Sequence, residues 1–343
     1  IKLEEQSASS EIIPVHKDGK DFKRGVINLP SFYIDFEAAR NGDPNYKSTT
    51  RDVRKLLEDF NEQEVDGVLI DLRRNGGGSL QEAIELTGLF IKDGPVVQVK
   101  NSLGKVDMGE DEDKEVVWDG PLTVLINRYS ASASEIFAGA IQDYMRGVVV
   151  GEQTYGKGTV QNLIPLDRYM PNEDAKLGEL KITIAKYYRV TGQSTQHKGV
   201  VPDVSMPSAY DPELFGESSI PSALPWDEIA SANFDKTYDI DAKLLTQLNK
   251  SFTKRLKEDP SLKELEYDVS VAKELRNQTL ISLNEDKRRG EIKEAEERRS
   301  KAELAGQITT TESGEYSFGE AEMKDSYLKQ GIIVLTELVS SVG

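Results

Sequence analysis

Cysteine is absent from this chain, and histidine occurs only twice in 343 residues. Without thiols there is no cysteine nucleophile, thiolate zinc site, iron–sulfur cluster or disulfide framework. Two histidines are too few for a His-rich metal site. No stretch approaches the roughly 20 apolar residues of a membrane helix, so no integral membrane segment is expected. Positive charge is in deficit: 43 Lys and Arg stand against 60 Asp and Glu, a formal charge of −17. Phosphate backbones select positive surfaces, so a nucleic-acid partner is not expected. The first residue is Ile1, and no signal-peptide pattern of basic start, apolar run and small-residue cleavage site opens the chain. The start reads as a fragment entered near the end of a strand, and the cellular address is not legible in it.

The chain has the length of two or three domains, with 37% hydrophobic and 30% charged residues. Residues 1–36 alternate like strands, through Ile12, Ile13 and Val15, then Val26, Ile27 and Leu29, then Phe32, Tyr33 and Ile34. Residues 37–50 read as a loop. Val53, Leu56, Leu57 and Phe60 recur at helical spacing and predict an amphipathic helix over 51–63. Val68-Leu69-Ile70, Leu122-Thr123-Val124-Leu125-Ile126 and Val148-Val149-Val150 are short continuous apolar runs, the mark of strands buried on both faces. Helical patterns over 80–91 and 132–145 lie between such runs. Further strands are read at 96–99, 159–165 and 179–190. Strands alternating with helices imply an α/β core. Residues 206–226 hold Pro207, Pro212, Pro221 and Pro225 and read as a linker or wrapping segment. Beyond them the chain reads as helical, with an apolar stripe from Leu244 to Leu256. A charged, solvated helix over 284–303 and a polar loop over 306–318 precede a final amphipathic helix through Ile332, Leu335 and Val339.

Four places could carry chemistry. The first is Tyr129-Ser130-Ala131-Ser132-Ala133-Ser134-Glu135, between a buried strand and a helix. A serine there gains exposure and the positive end of the helix dipole. Ser132-x-x-Glu135 equally fits a capping box with no chemistry at all. The second, Gly151 to Thr159, is nearly a phosphate-binding loop ending Gly156-Lys157-Gly158-Thr159. Gly158 stands where the magnesium-binding hydroxyl belongs, and the following residues read as strand, so the loop lacks the helix that would hold an anion. An NTPase remains an alternative, as does a catalytically silent binding scaffold. The third is Asp71-Leu72-Arg73-Arg74-Asn75-Gly76-Gly77-Gly78, whose three glycines could present a nest of bare N–H groups or form a flexible strand-to-helix loop. The fourth is the pair His16 and His197, which read as surface residues. A serine nucleophile needs a base, and without a convincing histidine the remaining candidate is lysine, kept neutral by burial. Ser132 and Lys157 each follow a buried strand, 25 residues apart. Gln161, four residues beyond Lys157, can orient the amine without adding charge.

Three stretches together resemble the C-terminal processing peptidases: Asp71-Leu72-Arg73-Arg74-Asn75-Gly76-Gly77-Gly78, Ser130 to Ile136, and Gly151 to Gln161. Lys198-Gly199-Val200-Val201-Pro202-Asp203 is similar to that family's K-G-V-x-P-D stretch. Ala223-Leu224-Pro225-Trp226-Asp227 and Asp325-Ser326-Tyr327-Leu328 resemble its tail-specific branch, so the likeness spans nearly the whole chain. The resemblance implies a core of ClpP/crotonase type over 1–205, after a strand-rich start, and a helical C-terminal domain over 227–343. It implies Ser132 as nucleophile, Lys157 as general base, Gln161 as the residue orienting Lys157, and the N–H groups of Gly78 and Ala133 as the oxyanion hole. No cofactor, metal or nucleotide is implied. The implied partners are proteins with apolar C-terminal tails in the periplasm of Gram-negative bacteria, with room for an adaptor protein. Family members carry a substrate-capturing PDZ domain before this core. No stretch here reads as one, and residues 1–3 resemble the strand just beyond it.

Overall fold

The apolar runs become the buried centre of a sheet. The structure, a computed structural model, describes residues 7–169, 177–236, 240–294, 296–297, 316–318 and 325–342. The expected strand at 1–3, residues 298–303 of the charged segment and residues 306–315 of the polar loop lie outside the described residues.

A seven-stranded sheet contains β1 (Ser9–Lys17), β2 (Lys20–Asn28), β3 (Gly67–Asp71), β6 (Leu122–Ile126), β7 (Val148–Gly151), β10 (Val204–Ser205) and β11 (Tyr316–Ser317). Their order is β10-β7-β6-β3-β2-β1-β11. The ladders from β10 to β2 are parallel, and β1 pairs antiparallel with both β2 and β11. Every residue of β3, β6 and β7 is buried, as expected for central strands covered on both faces. A second, four-stranded antiparallel sheet has the order β5-β4-β9-β8, from β4 (Pro95–Asn101), β5 (Val106–Glu110), β8 (Thr159–Pro165) and β9 (Glu179–Tyr188).

Alternation along the central strands feeds two cores. Val68, Ile70, Leu122, Val124, Ile126 and Val149 face helices α2 (Thr49–Glu62), α3 (Leu80–Gly88) and α4 (Ala133–Asp143). Leu69, Leu125, Val148 and Val150 face the opposite side. That side is covered by α5 (Ala242–Glu258), α6 (Pro260–Asn277) and the C-terminal α7 (Ser326–Val342), through Leu248, Phe252, Leu262, Ile332, Leu335 and Leu338. Each such fully buried side chain contributes about 1.5–3 kcal/mol of transfer free energy. Side chains start the helices: Ser48 accepts from Arg51 N, Ser79 from Glu82 N, and Asp241 from Leu244 N.

Three local expectations fail, one of them at the polar loop read over 306–318, where Tyr316–Ser317 forms β11 by pairing with His16 and Lys17 of β1. The segment read as a loop contains α1 (Phe36–Arg40), because the Asp35 carboxylate accepts from Glu37 N and Ala38 N and nucleates a turn. Phe32 and Ile34 form only isolated bridges, to Gly78 and Ser48, and no continuous strand. No helix among the described residues is long and apolar enough to cross a membrane.

Candidate active site

In a parallel sheet the loops leaving the carboxyl ends of neighbouring strands converge, and ligands bind there. Here β3 leads into the glycine loop, β6 into the serine loop and β7 into the Lys157 turn, and these three strands are adjacent. All three loops therefore meet at one edge of the seven-stranded sheet.

Ser132 stands at the N-terminus of α4 with φ +58° and ψ −115°. A left-handed backbone is uncommon for serine, and it persists only where the surroundings hold it. What holds it is Glu135. Its fully buried carboxylate accepts the Ser132 N–H at 2.8 Å and the Lys157 N–H at 3.0 Å on Oε2. On Oε1 it accepts the Thr154 hydroxyl at 2.6 Å and the Gly156 N–H at 2.7 Å. The capping-box acid is thus also a knot tying the serine loop to the lysine turn. Burial pushes its carboxyl up to about 7, against the downward pull of these four hydrogen bonds.

The three serines have different fates. Ser130 is fully buried, donates to Leu72 O at 2.8 Å and accepts from Asn127 N at 3.0 Å. Ser134 is fully buried and donates to Asn75 O at 2.8 Å. Both hydroxyls are consumed in holding loops together. Ser132 alone of the three is half-buried, at the mouth of the site.

The glycine loop packs directly on Ser132. A Cβ on Gly77, where φ is +100°, would sit 2.7 Å from both Ala131 O and Ser132 Cβ. At Gly78, with φ +148°, a Cβ would lie 2.1 Å from Phe32 O. Only glycine allows these approaches. Among the described residues neither Gly78 N–H nor Ala133 N–H donates a hydrogen bond, so both remain available to an incoming oxygen. Asn75, part of the glycine stretch but given no role of its own from the sequence, fastens this loop. Its side chain donates to Leu29 O at 2.9 Å and accepts from Gly77 N at 2.9 Å, while its carbonyl accepts from Ala131 N at 3.0 Å.

Lys157 is half-buried, and its ammonium donates to Gln161 Oε1 at 3.2 Å. Burial first, and the charge of Lys181 second, lower its pKa from the ordinary lysine value, against the opposing pull of Glu217 and Glu135. Among the described residues no hydrogen bond joins Lys157 Nζ to Ser132 Oγ. Gln161 reaches the amine from β8, where the register with β9 shifts between Val160 and Gln161. The turn after Lys157 passes into β8 with no helix behind it, so it lacks the helix N-terminus a phosphate-binding loop uses.

Segments far along the chain brace these loops. The buried Gln196 accepts from Gly158 N at 2.8 Å and donates to Glu217 at 3.1 Å and to Leu224 O at 2.9 Å. Arg128, also buried, donates to Thr154 O and, at 2.8 Å, to Pro212 O. Thr154 Oγ1 accepts from Val200 N at 2.7 Å, which seats the K-G-V-x-P-D stretch behind Glu135. Of the two histidines expected on the surface, His16 is exposed and pairs with Asp21, whereas His197 is half-buried because its main-chain N–H is tied to Gly156 O, next to Lys157.

Several known proteins are similar to this chain. A tail-specific protease of Haemophilus influenzae is 40% identical over 303 residues, a match spanning 88% of this chain and 41% of that protein. A chloroplastic carboxyl-terminal-processing peptidase 2 of Arabidopsis thaliana is 35% identical over 166 residues, 48% of this chain and 31% of that protein. The chain therefore spans well under half the length of these relatives. Among solved structures, the photosystem II D1 C-terminal processing protease aligns with a TM-score of 0.47 at 27% identity, covering 60% of this chain and 49% of that one. The model for the C-terminal domain of tail specific protease (DUF3340) matches residues 210–340. The α/β core anticipated from the sequence is present, and with the model for peptidase family S41 matching residues 23–206, the chain belongs to peptidase family S41.

Proposed function

We propose that this chain carries the catalytic centre of a serine endopeptidase working through a Ser132–Lys157 dyad. The observation that carries the reading is the single Glu135 oxygen that accepts the main-chain N–H of both residues, which keeps nucleophile and base beside each other. A neutral Lys157 takes the proton of Ser132 Oγ as Oγ attacks the scissile carbonyl. The oxyanion is received by the N–H groups of Gly78 and Ala133, with the N-terminus of α4 behind them. Lys157 then passes its proton to the leaving amine, and water hydrolyses the acyl-enzyme. In the resting site the amine rests on Gln161, and it turns to Ser132 when substrate arrives; hydrogen bonds of free catalytic sites commonly tighten in this way.

The substrates we infer are proteins presented by apolar C-terminal tails in a bacterial periplasm, with an adaptor as a further partner. The likeness of residues 210–340 to the tail-specific C-terminal domain supports this reading. The test incubates an unfolded protein with the chain and with serine variants. Ser132→Ala is expected to abolish cleavage, while Ser130→Ala and Ser134→Ala retain catalysis at reduced stability. Cleavage by folded Ser132→Ala would overturn the assignment, and absence of cleavage by the unaltered chain would favour a binding scaffold.

A further inference from the structure

Glu135 holds Ser132 and Lys157 from the side of their N–H groups. A second group holds the same two residues from the side of their carbonyls. Tyr187, near the end of β9, is 1% exposed, and its ring lies in the core shared with α3 and α4. Its hydroxyl donates to Lys157 O and also lies 3.2 Å from Ser132 O. Tyr187 N–H also donates to Gly158 O at 3.0 Å, so the residue grips the lysine turn twice. Thr195 Oγ1 adds a donor to Lys157 O at 3.1 Å.

We propose that Tyr187 is a positioning residue of the dyad, its hydroxyl proton shared between the main-chain carbonyls of Ser132 and Lys157 so that the two side chains keep the spacing proton transfer needs. The proposal rests on the dyad reading above. The geometry is unusual for a core tyrosine, whose hydroxyl ordinarily needs one partner only. Ser132 O is already satisfied by Glu135 N at 2.8 Å and Ile136 N at 3.0 Å, so the contact is not required to rescue a buried carbonyl. What the hydroxyl adds is a link between two loops that leave different strands, β6 and β7. The ring is anchored in a third element, β9, in the other sheet. Burial raises the Tyr187 hydroxyl well above its ordinary value, so it remains a donor across any working pH. With Glu135 on one side and Tyr187 on the other, neither residue of the pair can shift along the main chain without breaking a buried hydrogen bond.

The test replaces Tyr187 by Phe, which keeps the ring and removes one oxygen. Small displacements between reacting groups cost up to about 100-fold in rate, so Tyr187→Phe is expected to lower kcat about 10- to 100-fold, with KM for an unfolded fluorogenic substrate changed by less than about twofold. Labelling of Ser132 by a fluorophosphonate should slow in parallel, since it reads nucleophile activation without peptide binding. A purely structural tyrosine would lower the melting temperature and leave kcat and labelling unchanged well below it; that result overturns the proposal. If Tyr187→Phe fails to fold, Thr195→Val, which removes the neighbouring bond to Lys157 O, is read instead: a fall in kcat at constant KM supports the tether, and an unchanged kcat overturns it. Ser132→Ala and Lys157→Ala are run alongside. Cleavage surviving in either overturns the dyad and the tether with it, whereas inactive dyad variants beside a wild-type kcat in Tyr187→Phe overturn the tether alone.

Discussion

Glu135→Gln is the most informative single substitution at this site, because the new side chain is almost isosteric and only the acceptor count changes. The carboxylate receives four donors, two on each oxygen. An amide keeps one acceptor oxygen. Its best placement leaves that oxygen on the Ser132 and Lys157 N–H groups and turns Nε2 toward Thr154, whose hydroxyl rotates to accept. Gly156 N–H then loses its partner and faces a donor. A buried polar group left unsatisfied costs about 1–3 kcal/mol, which is the expected loss of unfolding free energy. The loss should depend on pH. The Glu135 carboxyl is raised from 4.5 to about 7 in the folded protein. Its protonated form is therefore favoured by folding, a contribution fully present below 4.5 and lost as pH rises through about 7. At 1.36 kcal/mol per unit, that contribution is about 3 kcal/mol. Glutamine has no such contribution, so its penalty relative to Glu135 should be larger at pH 5 than at pH 8 by up to about 3 kcal/mol. Urea unfolding of both proteins at the two pH values measures it. A Glu135→Gln penalty that is the same at both would refute the reasoning, since the carboxyl would then not be shifted by burial.

Cleavage by the unaltered chain should increase with pH as Lys157 loses its proton, with a midpoint below the ordinary lysine value because burial favours the neutral amine. Lys157→Arg should be inactive across the same range, since a guanidinium stays charged; a pH–rate profile of each tests both statements. Gly78→Ala should lower kcat by about 100-fold or more, as expected for a disrupted oxyanion donor, because its Cβ would meet Phe32 O at 2.1 Å and force the N–H aside. Steady-state kinetics on a variant verified as folded by circular dichroism decides it.

Much of the architecture was legible in the sequence because it depends on local pattern. The apolar-rich Leu122–Ile126 and the three valines Val148–Val150 mark β6 and β7 as central strands, and the 3.6-residue spacing of Val53, Leu57 and Phe60 marks the buried face of α2. The same patterns put a serine loop and a lysine turn after two buried strands, while the choice of Ser132 and Lys157 within them came from the resemblance to the C-terminal processing peptidases. The short α1 escaped notice because one Asp35 side chain decides it, against a polar, glycine- and proline-bearing background. Local pattern could not tell Ser130, Ser132 and Ser134 apart either. The distinction lies in Leu72 O and Asn75 O, more than 55 residues away in sequence, which consume two of the three hydroxyls. Glu135 looked like a helix cap, and only the folded chain brings Thr154, Gly156 and Lys157 to its other lone pairs. Asn75, Tyr187 and Gln196 had no role legible in the sequence for the same reason. Apart from the Glu217 carboxylate that Gln196 meets, their partners are main-chain atoms, and a carbonyl or N–H is identical at every position of a sequence. Composition and periodicity determine which segments are buried and in what form; which backbone groups then meet a given polar side chain is decided by the tertiary fold, through the requirement that each buried donor and acceptor be satisfied.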